Sequence, residues 1–421
     1  MEYNSILSNE HSLKKMWCST SIYSKVYFFL FFLFSLQVVP NDILIALIVL
    51  VFLAENLEND IYLYMFSLPW MYVGKFSFGL TISLVNTILL VSKIAINRKK
   101  IEFTNLDLVV FAYLLTIGIF ALVLNQTFTG ISICFYFLIA VYIHSTYAKD
   151  KERCEFFWEK SLFFIFLSTS IAVIYGIRAE TGYERWIVGM GYVSQLYGTL
   201  GTSRFGLYLV VSLLYPLYYV HNKFLKTILL ILLAVAVFET VSMTAFLLLI
   251  FAFVFYTFMK GEWNVKKTGA LLLVALVVAL AVLFWDQIGN IDVIKPLYTR
   301  TSLITTELQT GDMDAATSGR SSLSDLYIER FESFNVFNKL TGSAMLSATE
   351  DMYSHNSYLD MLNYCGIIGV ILLALLQIQR IWAYLQTSVK RQALLTKFLF
   401  ILAAASVSIF SAQYWLIFFF L

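Results

Sequence analysis

The stretch that decides the fold reads LDLVVFAYLLTIGIFALVL at residues 106–124 and, after a short turn, GISICFYFLIAVYIHSTY at residues 130–147. A helix crossing a bilayer needs roughly 20 mainly apolar residues. Both runs approach that length, and Asp107 is the single carboxylate in them, with no lysine or arginine. A soluble helix of this size alternates an apolar stripe with a charged face; these have no charged face. They read as two membrane-crossing helices joined by a tight connection.

Outward from this pair the same pattern recurs. Apolar segments lie at 26–39, 42–54, 61–74, 77–92, 157–177, 204–221, 224–240, 243–259, 268–285, 358–379 and 394–413. Pro40 and Asn41 turn the first two into a hairpin, and Tyr414–Leu421 either extends the last span or folds back. Of 421 residues, 60% are hydrophobic, 17% aromatic and 13% charged, with mean hydropathy +0.77. A soluble domain is about a quarter charged, so lipid must solvate this surface. The expectation is an all-α polytopic membrane protein of about 12–13 transmembrane helices.

Lysine and arginine accumulate on the cytoplasmic side of such proteins. Basic clusters occur at Lys14/Lys15/Lys25, Lys93–Lys100, Lys149–Lys160, Lys223/Lys226, Lys260–Lys267 and Arg380–Lys397, in every second loop. The organisation follows: a cytoplasmic tail at 1–25, transmembrane helices through 26–285 with a periplasmic loop at 178–203, a large periplasmic loop at 286–357, and C-terminal transmembrane helices at 358–421. The location is a bacterial inner membrane, and in a Gram-positive cell the outer face is extracellular. Residues 1–25 are polar, and the run from Val26 has no small-residue cleavage site, so no signal peptide is read. The net charge of +2 gives no case for nucleic acid. Cys18, Cys134, Cys154 and Cys365 have no metal or disulfide spacing. There is no HExxH or Walker loop, and no cofactor is expected.

The outer segments carry Arg178, Arg185, Arg204, Arg300, Arg320 and Arg330 against only Lys295 and Lys339. Guanidinium is the side chain for bidentate phosphate or carboxylate binding. Nearby Glu180, Glu184 and Glu329 are the competing structural partners. Residues 286–357 hold ten acids and five bases and are too long for a connector. Within them Leu323, Leu326, Tyr327, Phe331 and Phe334 recur at helical spacing. They predict an amphipathic helix over Arg320–Phe337, capped by Ser318 and lying on the membrane surface, with a turn at Gly342. Its first turn would place free backbone amides beside Arg320, an anion site. His355 is the single histidine on the outer face and sits where a span begins. Imidazole serves as a base near neutral pH, and Asn356 beside it can orient a hydroxyl. Glu350, Asp351 and Asp360 compete for the base role, and a lone histidine is more often structural than catalytic.

Ser318-Gly319-Arg320, the amphipathic helix, Gly342, His355-Asn356-Ser357-Tyr358-Leu359 and Gly366-Ile367-Ile368-Gly369 follow one another in order. This set resembles the O-antigen polymerase/ligase superfamily, the Wzy-type polymerases and WaaL-type ligases of bacterial surface polysaccharide. The motif resemblance covers 318–369, and the hydropathy profile resembles the family over nearly the whole chain. Val241-Ser242-Met243-Thr244 stands where many members have Ser-Arg, and Tyr353-Ser354 where a ligase often has a second histidine. Both departures favour a polymerase.

The resemblance implies a GT-C-like fold and a metal-independent, inverting glycosyltransferase. Its donor is an undecaprenyl-diphosphate-linked oligosaccharide, and its acceptor the terminal sugar hydroxyl of another lipid-linked repeat. It also implies membrane lipid and a chain-length regulator protein as partners. Carried over by residue, Arg320 and His355 are catalytic, while Arg185, Arg204, Arg178, Arg330 and Asn356 bind the diphosphate or substrate. The alternatives are an O-antigen ligase acting on lipid A–core and, more distantly, a lipid-linked sugar flippase.

Overall fold

The computed structural model describes residues 16–70, 73–77, 79–97, 101–125, 127–148, 150–179, 183–187, 191–195, 202–259, 287, 289, 295–311, 320–345, 354–387, 390–406, 418 and 420–421. Among them the chain is almost entirely helical. In order, the helices are α1 (Ile22–Leu36), α2 (Asn41–Ala54), α3 (Leu57–Ser67), α4 (Ile82–Ile96), α5 (Asn105–Asn125), α6 (Thr129–Tyr147) and α7 (Lys151–Ala179). A small hairpin follows, β1 (Tyr183–Ile187) with β2 (Gly191–Gln195). Then come α8 (Thr202–Ser212), α9 (Leu214–Tyr219), α10 (Lys223–Glu239), α11 (Met243–Met259), α12 (Lys295–Thr310), α13 (Arg320–Ser333), α14 (Val336–Thr341), α15 (Ser357–Leu385) and α16 (Lys390–Ala404).

Side-chain caps fix several helix starts. Ser21 accepts from Ser24 N, Asn56 from Asn59 N, Thr81 from Leu84 N and Asn222 from Phe224 N, satisfying amides that a helix leaves unpaired. α1 stops at Gln37, in the left-handed region at φ 52°, just before Pro40. Among the described residues, four helices are long and apolar enough to cross a membrane: α5, α6, residues 151–178 of α7, and α15. α1, α2, α4 and most of α11 are shorter apolar helices. Together they mark a helical membrane protein.

The expected spans 26–39, 42–54, 61–74 and 77–92 correspond to α1–α4, with boundaries shifted by a few residues. The pair that decides the fold is recovered almost residue for residue as α5 and α6. Segment 204–221 is two helices, because Pro216 has no amide to continue the ladder. In the last turn of the second of these helices, the Leu217 carbonyl accepts from Lys226 Nζ at 2.8 Å and Tyr256 Oη at 3.1 Å. Segment 268–285 and the end of 394–413 lie outside the described residues. Among the described residues, the β1–β2 hairpin departs from the all-α expectation, with Arg185 opposite Val193.

The chain divides into two compact units. The first comprises Met1–Leu44, Pro69–Val73 and Leu162–Ser318. Its core is aromatic: Trp70 sits against Phe31 and Phe34 and donates Nε1 to Ser168 Oγ at 3.0 Å, while Phe34 stacks on Tyr175. α8 meets α11 at Gly206, where an added Cβ would strike Ala245.

The second unit comprises Ile45–Leu68, Gly74–Ser161 and Gly319–Leu421. α5 and α6 pack closely at Gly118 and Gly130, which lack the side chains that would separate them. Arg380, expected in a basic cytoplasmic cluster, is instead fully buried in α15. Its Nη2 donates to Asp107 Oδ1 of α5 at 2.6 Å, and its Nε to the Phe420 carbonyl at 3.3 Å. Asp107 Oδ2 accepts from Thr104 N and Oγ1. The α15 helix simply continues past residue 379. Lys397, expected in the same cluster, is likewise buried in α16.

Candidate functional site

The candidate site of the second unit is built around a break in α15. Gly366 has φ 62° and ψ −172°, which no helical residue adopts. Such a break leaves carbonyls without intrahelical partners. The chain after α14 supplies them: Ser343 N donates to Asn363 O at 2.9 Å and Ala344 N to Tyr364 O at 3.2 Å. Tyr113 Oη of α5 donates to Cys365 O at 2.7 Å and lies 3.2 Å from Thr341 O. Gly342, at φ 85°, ends α14 where a Cβ would run into the Tyr364 carbonyl, and a Cβ on Gly366 would run into Gly342 N and Leu340 O. Both positions need glycine for the approach and for the backbone angle. The turn expected at Gly342 is therefore present and is one half of a backbone-to-backbone junction.

α13 docks on the same region. The single amphipathic helix expected over Arg320–Phe337 is instead two helices, α13 and α14, separated by an Asn335 cap on Asn338 N, and α13 buries Tyr327 while Leu326 stays exposed. Tyr327 is fully buried, and Asn363 Nδ2 donates to its carbonyl at 3.2 Å. Arg330 is half-buried. Its Nη2 donates to Ser343 Oγ at 3.4 Å, its guanidinium lies over the Phe334 ring, and burial draws its pKa downward. Arg320 opens α13 and is partly exposed. Ser318 and Gly319, the expected cap and turn, lie outside the described residues, as do Glu350 and Asp351.

His355 is exposed and sits in the left-handed region at φ 56°. A non-glycine residue there costs of order 1 kcal/mol or more and persists only where its surroundings impose it. The imposing groups are visible. Buried Ser354 places Oγ 2.6 Å from Asp360 Oδ1 and 2.6 Å from the Asn356 carbonyl, and it accepts from Asn356 N at 2.9 Å. Asn356 Oδ1 accepts from Tyr358 N and Leu359 N. The helix cap is thus Asn356, and His355 is turned outward beside it. Asp360, one of the alternative bases, is fully buried and holds this turn.

The remaining expected site residues belong to the first unit. Arg178 is exposed in the last turn of α7, Arg185 lies in β1, and Arg204 is partly buried in the first turn of α8. Sequence reasoning did not find Ser354, Tyr327 or Asn363 as supports. The available signal was a polar residue, Asn363, inside an apolar helix. It also missed the Asp107–Arg380 pair, though Ile378, Ile381 and Trp382 around Arg380 continue the apolar pattern.

No family model, curated protein or solved structure matches this chain. The fold alone defines the class, a helical membrane protein.

Proposed function

We propose that the protein is a surface-polysaccharide polymerase of the O-antigen type, acting on the periplasmic side of a bacterial inner membrane. One observation carries this reading. Of the residues resembling that superfamily's motif, Gly342 at the end of α14 and Gly366 in α15 meet in one backbone junction, Arg320 opens α13, which also packs on α15, and His355-Asn356 lead into α15. The support is therefore the order of the motif residues together with the Gly342–Gly366 junction.

In this reading the donor is a glycan on undecaprenyl diphosphate. His355 takes the proton of the acceptor hydroxyl as its oxygen bonds to the anomeric carbon from the face opposite the diphosphate. The carbon–oxygen bond to the diphosphate breaks, and the electron pair leaves with the lipid. Arg320 stabilises that developing charge, and Arg330 of the same helix is the further guanidinium group assigned to the diphosphate or the sugars. Asn356 Oδ1 is committed to the helix cap, so its contribution to substrate falls to its amide nitrogen. The activated donor carries the energy of the reaction, and the chemistry asked of the chain is proton removal and anion stabilisation.

Deletion of the gene tests the reading. A polymerase mutant displays single repeat units on its surface. Accumulation of unattached lipid-linked polymer would instead assign the ligase reaction, and loss of all lipid-linked repeats from the outer leaflet a flippase.

A further inference from the structure

We propose that the face of α14 formed by Val336, Phe337 and Leu340 is inserted into lipid at the bilayer–water boundary, and that this boundary crosses α15 near Gly366. The inference rests on the membrane-protein class and not on glycosyl transfer.

The level of the boundary comes from α5. Its 21 residues span about 31 Å at 1.5 Å per residue, the thickness of the hydrocarbon core. Its apolar surface stays open to its end, since Val123 and Leu124 are each 70% exposed. Asn125 then donates Nδ2 to the Ala344 carbonyl at 3.2 Å, and Ala344 N donates to Tyr364 O. The end of α5, residue 344 and residue 364 therefore share one level.

α15 gives the same level independently. From Gly366 to Leu385 it reaches about 30 Å, a full crossing by itself. Its open apolar stripe begins directly after the break, at Ile367 and Ile368, and continues through Ile371, Leu375 and Ile378. The part before the break carries buried Asp360 and Asn363 and packs on α13. Tyr358 Oη donates to Ile401 O of α16, so this first part stays beside the bundle.

α14 is tied to α15 at its C-terminal end, where Gly342 meets Tyr364. Six residues of helix extend only about 9 Å from there. Val336 is 74% and Phe337 70% exposed, and with Leu340 they occupy one side of the turn. Three large apolar side chains thus add to the apolar band that α15 opens just after the break. Bilayer lipid is the occupant that covers such a band. An interfacial helix buries its apolar face about 5–10 Å into the headgroup and acyl boundary.

The test is spin labelling of Val336→Cys and Phe337→Cys, in a Cys18→Ser background, in phosphatidylethanolamine–phosphatidylglycerol vesicles. Glu332→Cys, exposed on α13, and Ile371→Cys, on the open stripe of α15, are the references. Labels at 336 and 337 should collide more with dissolved oxygen than with a water-soluble nickel chelate, as at 371 and unlike 332. Water-like collisions at both positions would overturn the proposal. So would shielding from both reagents, which would show a protein cover. Should labelling lower the thermal midpoint, Phe337→Trp with acyl-brominated lipids gives the same decision. Quenching beyond that of the parent supports insertion, and quenching equal to the parent's overturns it.

Discussion

Arg380 of α15 and Asp107 of α5 form an ion pair at 2.6 Å in which both side chains are buried. The pair joins residues 273 apart in sequence, so it ties together the two ends of the second unit. Removing one partner leaves an uncompensated buried charge, which costs about 3–5 kcal/mol. Arg380→Ala or Asp107→Ala should therefore lower the thermal midpoint in detergent sharply. The double substitution Asp107→Leu with Arg380→Met should recover much of that loss. Equal midpoints for parent and single variants would remove the pair from the stability account.

The glycine junction makes a second prediction. Gly366→Ala and Gly342→Ala each impose a left-handed backbone on a residue with a Cβ, about 1–3 kcal/mol, and add a backbone clash. Both should reduce the yield of folded protein. Tyr113→Phe removes hydroxyl contacts with Cys365 O and Thr341 O without a clash, and should cost about 1–2 kcal/mol. Midpoints by intrinsic fluorescence should rank the glycine variants below Tyr113→Phe.

Arg320 gives the third. Lysine retains the charge and loses the planar two-pronged donor. Arg320→Lys should impair polymer formation severely, by roughly 10²-fold or more on the scale of a lost anion-stabilising donor, and Arg320→Ala equally or further. Arg185→Ala and Arg204→Ala should also reduce polymer length. Normal polymer from Arg320→Ala at equal protein level would take this residue out of the site.

His355 separates chemistry from folding. Asparagine tolerates the left-handed region better than most residues, so His355→Asn should hold the turn and the thermal midpoint while abolishing polymer. His355→Ala should do the same with a midpoint lower by about 1 kcal/mol equivalent or less. A fall in protein level in step with activity would mark the residue as structural.

Labelling checks the orientation. A cysteine at Glu332 should react with an impermeant maleimide from the outer face, and one at Gln386 only after the membrane is permeabilised. The reverse pattern would invert the topology. Both positions are exposed at the surface.

Most helices were legible because lipid imposes a simple rule: an apolar run of sufficient length becomes a helix that satisfies its own backbone. α5 and α6 follow that rule without interference. The rule fails where a charge is paired internally. Arg380 reads as a loop residue by composition, and Asp107, far away in sequence, with the Phe420 carbonyl, makes its burial tolerable. The candidate site was legible in its motif residues, Gly342, His355 and Asn356. Its supports were not, because Ser354 and Asp360 act through a turn whose geometry no periodicity encodes. Asn356 looked like a substrate ligand and is seen capping a helix, a role that an Asn before an apolar run also signals.

The break at Gly366 also bears on the order of folding. Its carbonyls are satisfied by Ser343 and Ala344, and the Ser343–Asn363 bonds span only 20 residues. The Tyr113–Cys365 bond spans 252. Loop closure costs less over short separations, and low contact order speeds assembly. The bent helix and the segment that heals it are therefore expected to form as a local hairpin soon after synthesis, with α5 closing over a structure already shaped. Pulse-labelled hydrogen exchange should then protect the Ser343 amide in Tyr113→Phe as early as in the parent.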